Sequence, residues 1–211
     1  MQNTRTELLT EISDYYTAKL AAHGETPRGV DWNSAEGQTL RFEQLCKIVG
    51  TESRFSINDL GCGYGALYDF LAERFVEPSY FGVDVSERMI RAAKQRFKDQ
   101  LQARFLISSE PSQVADFGVA SGIFNVRMGR SNEEWQAYLE ATLGILDQTS
   151  RIGFAFNCLT SYSDINRMRS DLYYADPCFL FDLCKRRYSR NVTLLHDYDL
   201  FEFTILVRKS S

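Results

Sequence analysis

Along this chain the spacing of apolar and polar positions changes repeatedly. Residues 6–24, "TELLTEISDYYTAKLAAHG", carry apolar side chains at helical spacing and stop at Gly24. "ETPRGVDWNS" reads as a loop, with Pro27 and Gly29 as breakers. A second helix is predicted over 34–50, with Ser34 as its N-cap and Gly50 as its stop. From residue 54 strand-like and helical stretches alternate. Strand 1, about 54–60, runs into a glycine loop and a helix to about 75. "SYFGVDV" is strand 2, followed by the helix "SERMIRAAKQRFKDQ" capped by Ser86. "ARFLIS" is strand 3. "FGVASGIFNV" is strand 4, followed by the helix "SNEEWQAYLEATLGILDQ". "RIGFAFNCL" is strand 5, and a polar, aromatic segment over 160–176 separates it from the helix "DPCFLFDLCKRRY". "NVTLLHDY" and "LFEFTILVR" are the last two strands.

Alternating strands and helices predict a parallel sheet covered on both faces. The last two strands are too close in sequence for a parallel crossover, so they form an antiparallel hairpin. The fold class is therefore α/β: a Rossmann-like, seven-stranded, mostly parallel sheet in three α/β/α layers, with a helical cap at the N-terminus. We expect one domain over 1–211, residues 1–50 being the cap and 51–211 the core.

Beyond strand 1 the chain reads "INDLGCGYGALYDFL", with Gly61, Gly63 and Gly65 spaced by two. In an open α/β sheet, ligands bind at this place, beyond the carboxyl ends of the strands. Asp84 ends strand 2, where an acid can accept hydrogen bonds from both hydroxyls of a ribose. A nicotinamide dinucleotide remains open on these residues, since Ala66 would complete a GxGxxG/A loop. Against it, Asp59 precedes the first glycine, where a carboxylate repels a pyrophosphate and suits a cationic amine. About fifty residues precede strand 1, and too little chain follows for a separate substrate domain. The YxxxK spacing of a short-chain dehydrogenase occurs only at Tyr15 and Lys19, ahead of the loop.

"INDLGCGYG" resembles the first motif of the class I S-adenosylmethionine-dependent methyltransferases, and "YFGVDVSERMI" is similar to their second. The resemblance spans about residues 54–207. It implies S-adenosyl-L-methionine as cofactor, with backbone at Gly61, Gly63 and Gly65 approaching its amino-acid moiety, Asp59 near its ammonium and Asp84 on its ribose. It further implies Val85 and Met89 as walls of the adenine site and Ser108 and Ser109 beside the adenine amine, where Asp or Asn is more usual. Ile123, Phe124 and Asn125, at the end of strand 4, would lie near the sulfonium. From the cap, Tyr16, Trp32 and Arg41 are candidate contacts.

The acceptor is less marked. Methyl transfer is an in-line displacement for which alignment and exclusion of water do most of the work, so a conspicuous base is not required. His23 and Tyr16 are the two weak candidates for one. His196 shares a strand face with Val192 and Leu194 and reads as structural. Arg127 could hold an anionic group of the acceptor, and Tyr162, Tyr173 and Tyr174 could shape its pocket. Strand 4 ends "SGIFNVRMG" and lacks the [DNS]-P-P-[YF] sequence that DNA-adenine and glutamine-amide methyltransferases carry there. A net charge of -4 supplies no basic field for a polyanion.

A small-molecule partner is therefore expected and nucleic acid is not, with methylation at oxygen or nitrogen of a small polar metabolite. A protein side-chain methyltransferase, a non-catalytic adenosylmethionine-binding protein and an NAD-dependent oxidoreductase are the alternatives. Five cysteines without CxxC spacing, and only two histidines, predict no metal site and read as reduced intracellular thiols. No apolar run approaches the roughly 18 residues of a membrane span, and the first residues lack a signal-peptide layout, so a cytoplasmic protein without membrane partners is expected. The sequence leaves the oligomeric state open.

Overall fold

The computed structural model describes residues 2–209, so Met1, Ser210 and Ser211 of the expected domain lie outside the described residues. Seven strands form one sheet in the order β3-β2-β1-β4-β5-β7-β6. They are β1 (Ser56–Leu60), β2 (Ser79–Asp84), β3 (Ala103–Ile107), β4 (Ala115–Ala120), β5 (Ser150–Leu159), β6 (Asn191–Leu195) and β7 (Glu202–Arg208). β7 alone runs against the others, slotted between β5 and β6 and antiparallel to both. This is the mixed, Rossmann-like sheet that the sequence predicts. Strand 4 is shorter than its apolar run, because the chain turns at Gly122 with φ +74°.

Six helices complete the layers: α1 (Gln2–His23), α2 (Ala35–Cys46), α3 (Ala66–Arg74), α4 (Glu87–Arg96), α5 (Asn132–Gln148) and α6 (Pro177–Arg187). Their starts follow local chemistry. Ser34 accepts the Gly37 N–H, Ser86 accepts the Met89 N–H, and Ser131 with Glu134 makes a reciprocal capping box. The "ETPRGVDWNS" stretch holds a short 3-10 helix, Pro27–Val30, which the loop reading did not anticipate.

Two apolar clusters cover the two faces of the sheet. One joins α2, α3 and α4 to Ile57, Tyr80, Phe105 and Phe117. The other joins α5 and α6 to Leu60, Phe81, Val83, Phe154 and Phe156. The cap takes part in both, through Phe42, Leu45, Ile48 and Val49 on the first face and Leu8 and Ile12 on the second. The contribution of α1 has a structural cause. Residues 108–114 join β3 to β4 without a helix, and seven extended residues span only about 23–25 Å, enough to reach the start of β4 and no more. Leu8 and Ile12 pack where a helix in that connection would otherwise cover Phe81 and Val83.

Leu8 is 6% exposed, so Leu8→Ala should cost about 2–4 kcal/mol, read as a lowered denaturant midpoint with an unchanged slope. A midpoint equal to that of the parent would mean that α1 is not part of the core.

Candidate active site

The carboxyl edge of the sheet holds a cavity of about 100 Å³, partly open to solvent, whose floor and roof come from different parts of the chain. The floor is the loop after β1 with the ends of β2, β3 and β4. The roof is α1, the 3-10 segment and α2.

Bare backbone is what the floor requires. Gly61 has φ +78°, and a Cβ there would lie 2.2 Å from Ile123 Cγ2. Gly65 has φ +85°, and its Cβ would meet Phe97 Cε2 at 2.7 Å. No L side chain meets both demands at low cost. The Gly61 and Cys62 N–H groups both donate to Val83 O, which ties the loop to β2.

Two carboxylates stand in this floor. Asp84 Oδ2 accepts the Gly63 N–H at 2.9 Å and Oδ1 accepts the Ser86 N–H at 2.8 Å. Burial raises its pKa above the usual carboxylate range, and backbone N–H groups oppose the shift. Each oxygen keeps a lone pair for a further donor. Asp59 is 3% exposed, and its Oδ2 accepts the Tyr80 hydroxyl at 2.5 Å. Burial pushes its pKa up to about 7, against the lowering effect of the Tyr80 hydrogen bond.

The structure brings most of the sequence-derived cofactor candidates together. Asp59, Gly61, Gly63, Asp84, Val85, Met89, Ser108, Ser109 and Trp32 line the cavity, with Gly65 directly behind the loop and Tyr16 in the roof. Arg41 and Asn125 are not brought there. The Arg41 guanidinium is spent on a two-pronged ion pair with Glu202 and stacks on Trp32 instead of facing the cavity. Asn125 Oδ1 accepts the Leu159 N–H, and its carbonyl accepts the Tyr173 N–H.

The acceptor-side candidates are also held elsewhere. Arg127 donates to Ser170 O and to Asn132 Oδ1 in an exposed loop. Tyr173 is buried in the α5–α6 core cluster. The Tyr174 hydroxyl accepts the Arg169 N–H. His23 is exposed at the end of α1, outside the cavity lining. Tyr16 does line the cavity, but burial, with nearby carboxylates adding to it, raises its phenol pKa far above neutrality. It can donate a hydrogen bond and cannot serve as a base at neutral pH. His196 falls just beyond β6, exposed, with ring contacts to Tyr162 and Phe203.

Several lining residues were missed: Arg5, Gln38, Tyr64, Ser121, Tyr138 and Thr142. Arg5, Leu9, Ile12 and Tyr16 fall at i, i+4, i+7 and i+11, a helix-face spacing that was legible. The others carry no local signal. Among the described residues, Arg5 Nε and Ser121 Oγ are buried side-chain atoms without a hydrogen-bond partner, and both residues line the cavity. Orphaned buried polar atoms are costly and are expected where a ligand completes them.

These features fit S-adenosylmethionine: a carboxylate-lined floor for a cationic ligand, backbone approach at the glycines, and a two-oxygen acceptor at Asp84 for a ribose. Among the described residues no cluster suited to a metal ion is present. No helix of the described residues is long and apolar enough to cross a membrane. Gly61→Ala should cost about 1–3 kcal/mol from the left-handed backbone alone, with the Ile123 clash added. Thermal melts of Gly61→Ala and of the double variant with Ile123→Ala would separate the two parts, since only the clash is relieved in the double.

A family model for a methyltransferase domain matches residues 57–147. Rv1506c of Mycobacterium tuberculosis, whose name reads "Putative methyltransferase", is 60% identical over 165 residues, covering 78% of this chain and 99% of that one. Among solved structures, the DhpI complex with S-adenosylhomocysteine aligns with a TM-score of 0.64 at 15% identity, over 97% of this chain and 98% of that one. The N-methyltransferase NodS of Bradyrhizobium japonicum, also with S-adenosylhomocysteine, gives 0.64 at 14%, over 94% and 98%. With the glycine loop, the Asp84 site and the strand order in place, the chain belongs to the class I S-adenosylmethionine-dependent methyltransferases.

Proposed function

We propose that this enzyme transfers the methyl group to an oxygen or nitrogen of a small polar metabolite, and that it works as one domain over 1–211 with residues 1–50 as the cap. The observation that carries the reading is the roof. Tyr16, Val30, Trp32 and Phe42 line the cap side of the cavity opposite the glycine loop, so the cavity is roofed by the cap and only partly open to solvent. Such a chamber admits a small molecule and hinders a folded polypeptide or a duplex.

When bound, the cofactor supplies an electrophilic methyl on a cationic sulfur. The protein's part is to hold and enclose. Asp84 takes the two ribose hydroxyls, and the ionised form of Asp59 faces the ammonium. Backbone at Gly61 and Gly63 approaches the amino-acid end. Val85 and Met89 give apolar walls to the adenine, with Ser108 and Ser109 at its edge. The cap excludes water from the reacting atoms. No histidine lines the cavity, and Tyr16 keeps its proton. The acceptor therefore reacts in a form that already presents a lone pair, such as a carboxylate or an unprotonated amine.

Binding of S-adenosylhomocysteine, measured by calorimetry, should be lost or weakened about a hundredfold in Asp84→Ala, the range expected when a partner of two hydrogen bonds is removed. NAD should give no heat; binding of NAD in its place would overturn the assignment. The pH dependence has a definite sign. Asp59 has a raised folded pKa, so its contribution to the stability of the ligand-free protein is fully present below about pH 4 and is lost as pH rises through about 7. A cationic ligand favours the ionised form. Binding at pH 6 should therefore release close to one proton, seen as buffer-dependent heat, and almost none at pH 8.5.

For the acceptor, methyl-labelled cofactor and a fractionated cell extract suffice. Label should appear in small polar molecules, the kind that a roofed pocket admits. Label confined to protein or nucleic acid would rule the small-metabolite reading out.

A further inference from the structure

A set of side chains behind the cavity closes on itself. Arg41 of α2 pairs with Glu202 of β7, Nε to Oε2 at 2.9 Å and Nη2 to Oε1 at 2.6 Å. The same Oε2 accepts from Asn157 Nδ2 of β5 at 2.9 Å. Asn157 Oδ1 accepts the backbone N–H of Gly122 at 2.8 Å. Gly122 carries the Trp32 indole directly on its Cα: a Cβ there would lie 2.2 Å from Trp32 Cζ2. The indole in turn lies 3.9 Å from the Arg41 guanidinium carbon, which completes the ring.

Only two members of the ring, Trp32 and Gly122, touch the cavity. The ion pair stands behind them, with the Arg41 side chain 11% exposed and that of Glu202 1%. Two charges this deeply buried gain little net stability, and apolar replacements of similar shape are often no worse. What the pair provides that apolar groups would not is direction. A planar guanidinium fixed by two parallel hydrogen bonds sets the plane of the indole stacked on it. A carboxamide held at one end by Glu202 fixes the backbone turn after β4 at the other. The ring also spans the molecule, joining cap residues 32 and 41 to β5, β7 and the loop after β4.

We propose that Arg41, Glu202 and Asn157 are positioning residues of the methyl-transfer site: they fix the Trp32 wall and the Gly122 turn, and so hold the cap closed over the cofactor. The proposal rests on the methyltransferase reading for its ligand and on geometry alone for the closure. The two can be read separately, because closure is visible without ligand. Trp135 is fully buried, so quenching of tryptophan emission by iodide reports on Trp32.

Glu202→Gln and Arg41→Met should each expose Trp32 to iodide and raise the dissociation constant for S-adenosylhomocysteine about tenfold, and the double variant should be no worse than either single one. Val207→Ala, a core change on the same strand, should lower the melting temperature and leave both readouts at the parent values. Arg41→Lys keeps the charge and loses the planar fork, and it carries the same test if the uncharged variants do not fold. Iodide quenching and affinity both at the parent values in folded Glu202→Gln would overturn the proposal, leaving the ring as fold stabilisation only. Failure of the parent to bind S-adenosylhomocysteine, with Trp32 still released by Glu202→Gln, would overturn the ligand reading and uphold the closure.

Discussion

Three left-handed backbone positions within five residues set the geometry on which the rest of this molecule depends. Gly61, Gly63 and Gly65 all have positive φ, and each approaches a different part of the structure. A Cβ at Gly61 would strike Ile123 after β4. One at Gly63 would come within 3.0 Å of Val30 in the roof, and one at Gly65 would strike Phe97 at the end of α4. The loop is therefore where the cap, the end of β4 and the α4 layer converge. The lack of side chains does two things at once. It lets these elements close in, and it leaves unshielded backbone facing the cavity they enclose.

That convergence creates an electrostatic problem. Asp59, buried, and Asp84, half-buried, stand in the floor of one cavity, where solvation of both is reduced. They are treated differently. Asp84 receives two backbone N–H groups, which favour its charge. Asp59 receives only the Tyr80 hydroxyl, and its pKa stands near 7. A cationic ligand relieves the second situation and a donor of hydroxyl groups exploits the first. The ligand-free protein is thus left with an incompletely satisfied floor that its cofactor completes, and the orphaned Arg5 Nε and Ser121 Oγ add to the same tension.

What the sequence revealed and what it hid divide along the range of the interactions involved. The strands, the serine caps, the glycine loop and Asp84 depend on residues within a few positions of one another, so spacing alone exposed them. Arg41 is a candidate cofactor contact in sequence because it lies in the helical cap. Its partner, Glu202, lies 161 positions away, and nothing near Arg41 announces it. A cue did exist at the other end. "LFEFTILVR" places a lone acid between two phenylalanines in an otherwise apolar strand, and a buried carboxylate requires a cation. Arg127 and Tyr173 likewise meet partners that no local pattern marks. Their neighbours come from the segment after β5 and from the α5–α6 core, and a polar or aromatic residue near a strand end looks the same in sequence whether it faces a ligand or a neighbouring loop.

The same logic bears on the N-terminal helix. A connection of seven residues between β3 and β4 leaves part of the sheet without a helix of its own. Leu8 and Ile12 fill that place, while Arg5, Leu9 and Tyr16 on adjoining positions reach the cavity. One helix therefore serves as core on one side and as roof on the other, and it is pinned along its middle, by Glu11 to Arg130 and by Thr17 to Ser86. Opening the roof by moving α1 away would expose core surface as well as the cavity. The energetic cost falls on any motion that admits a ligand by lifting the helix bodily. Entry past the 3-10 segment and Trp32 avoids that cost. There the contacts that must be released are the aromatic stack, the ring of hydrogen bonds behind it and the Tyr15 and Lys19 bonds to Asp31, while the apolar core stays packed.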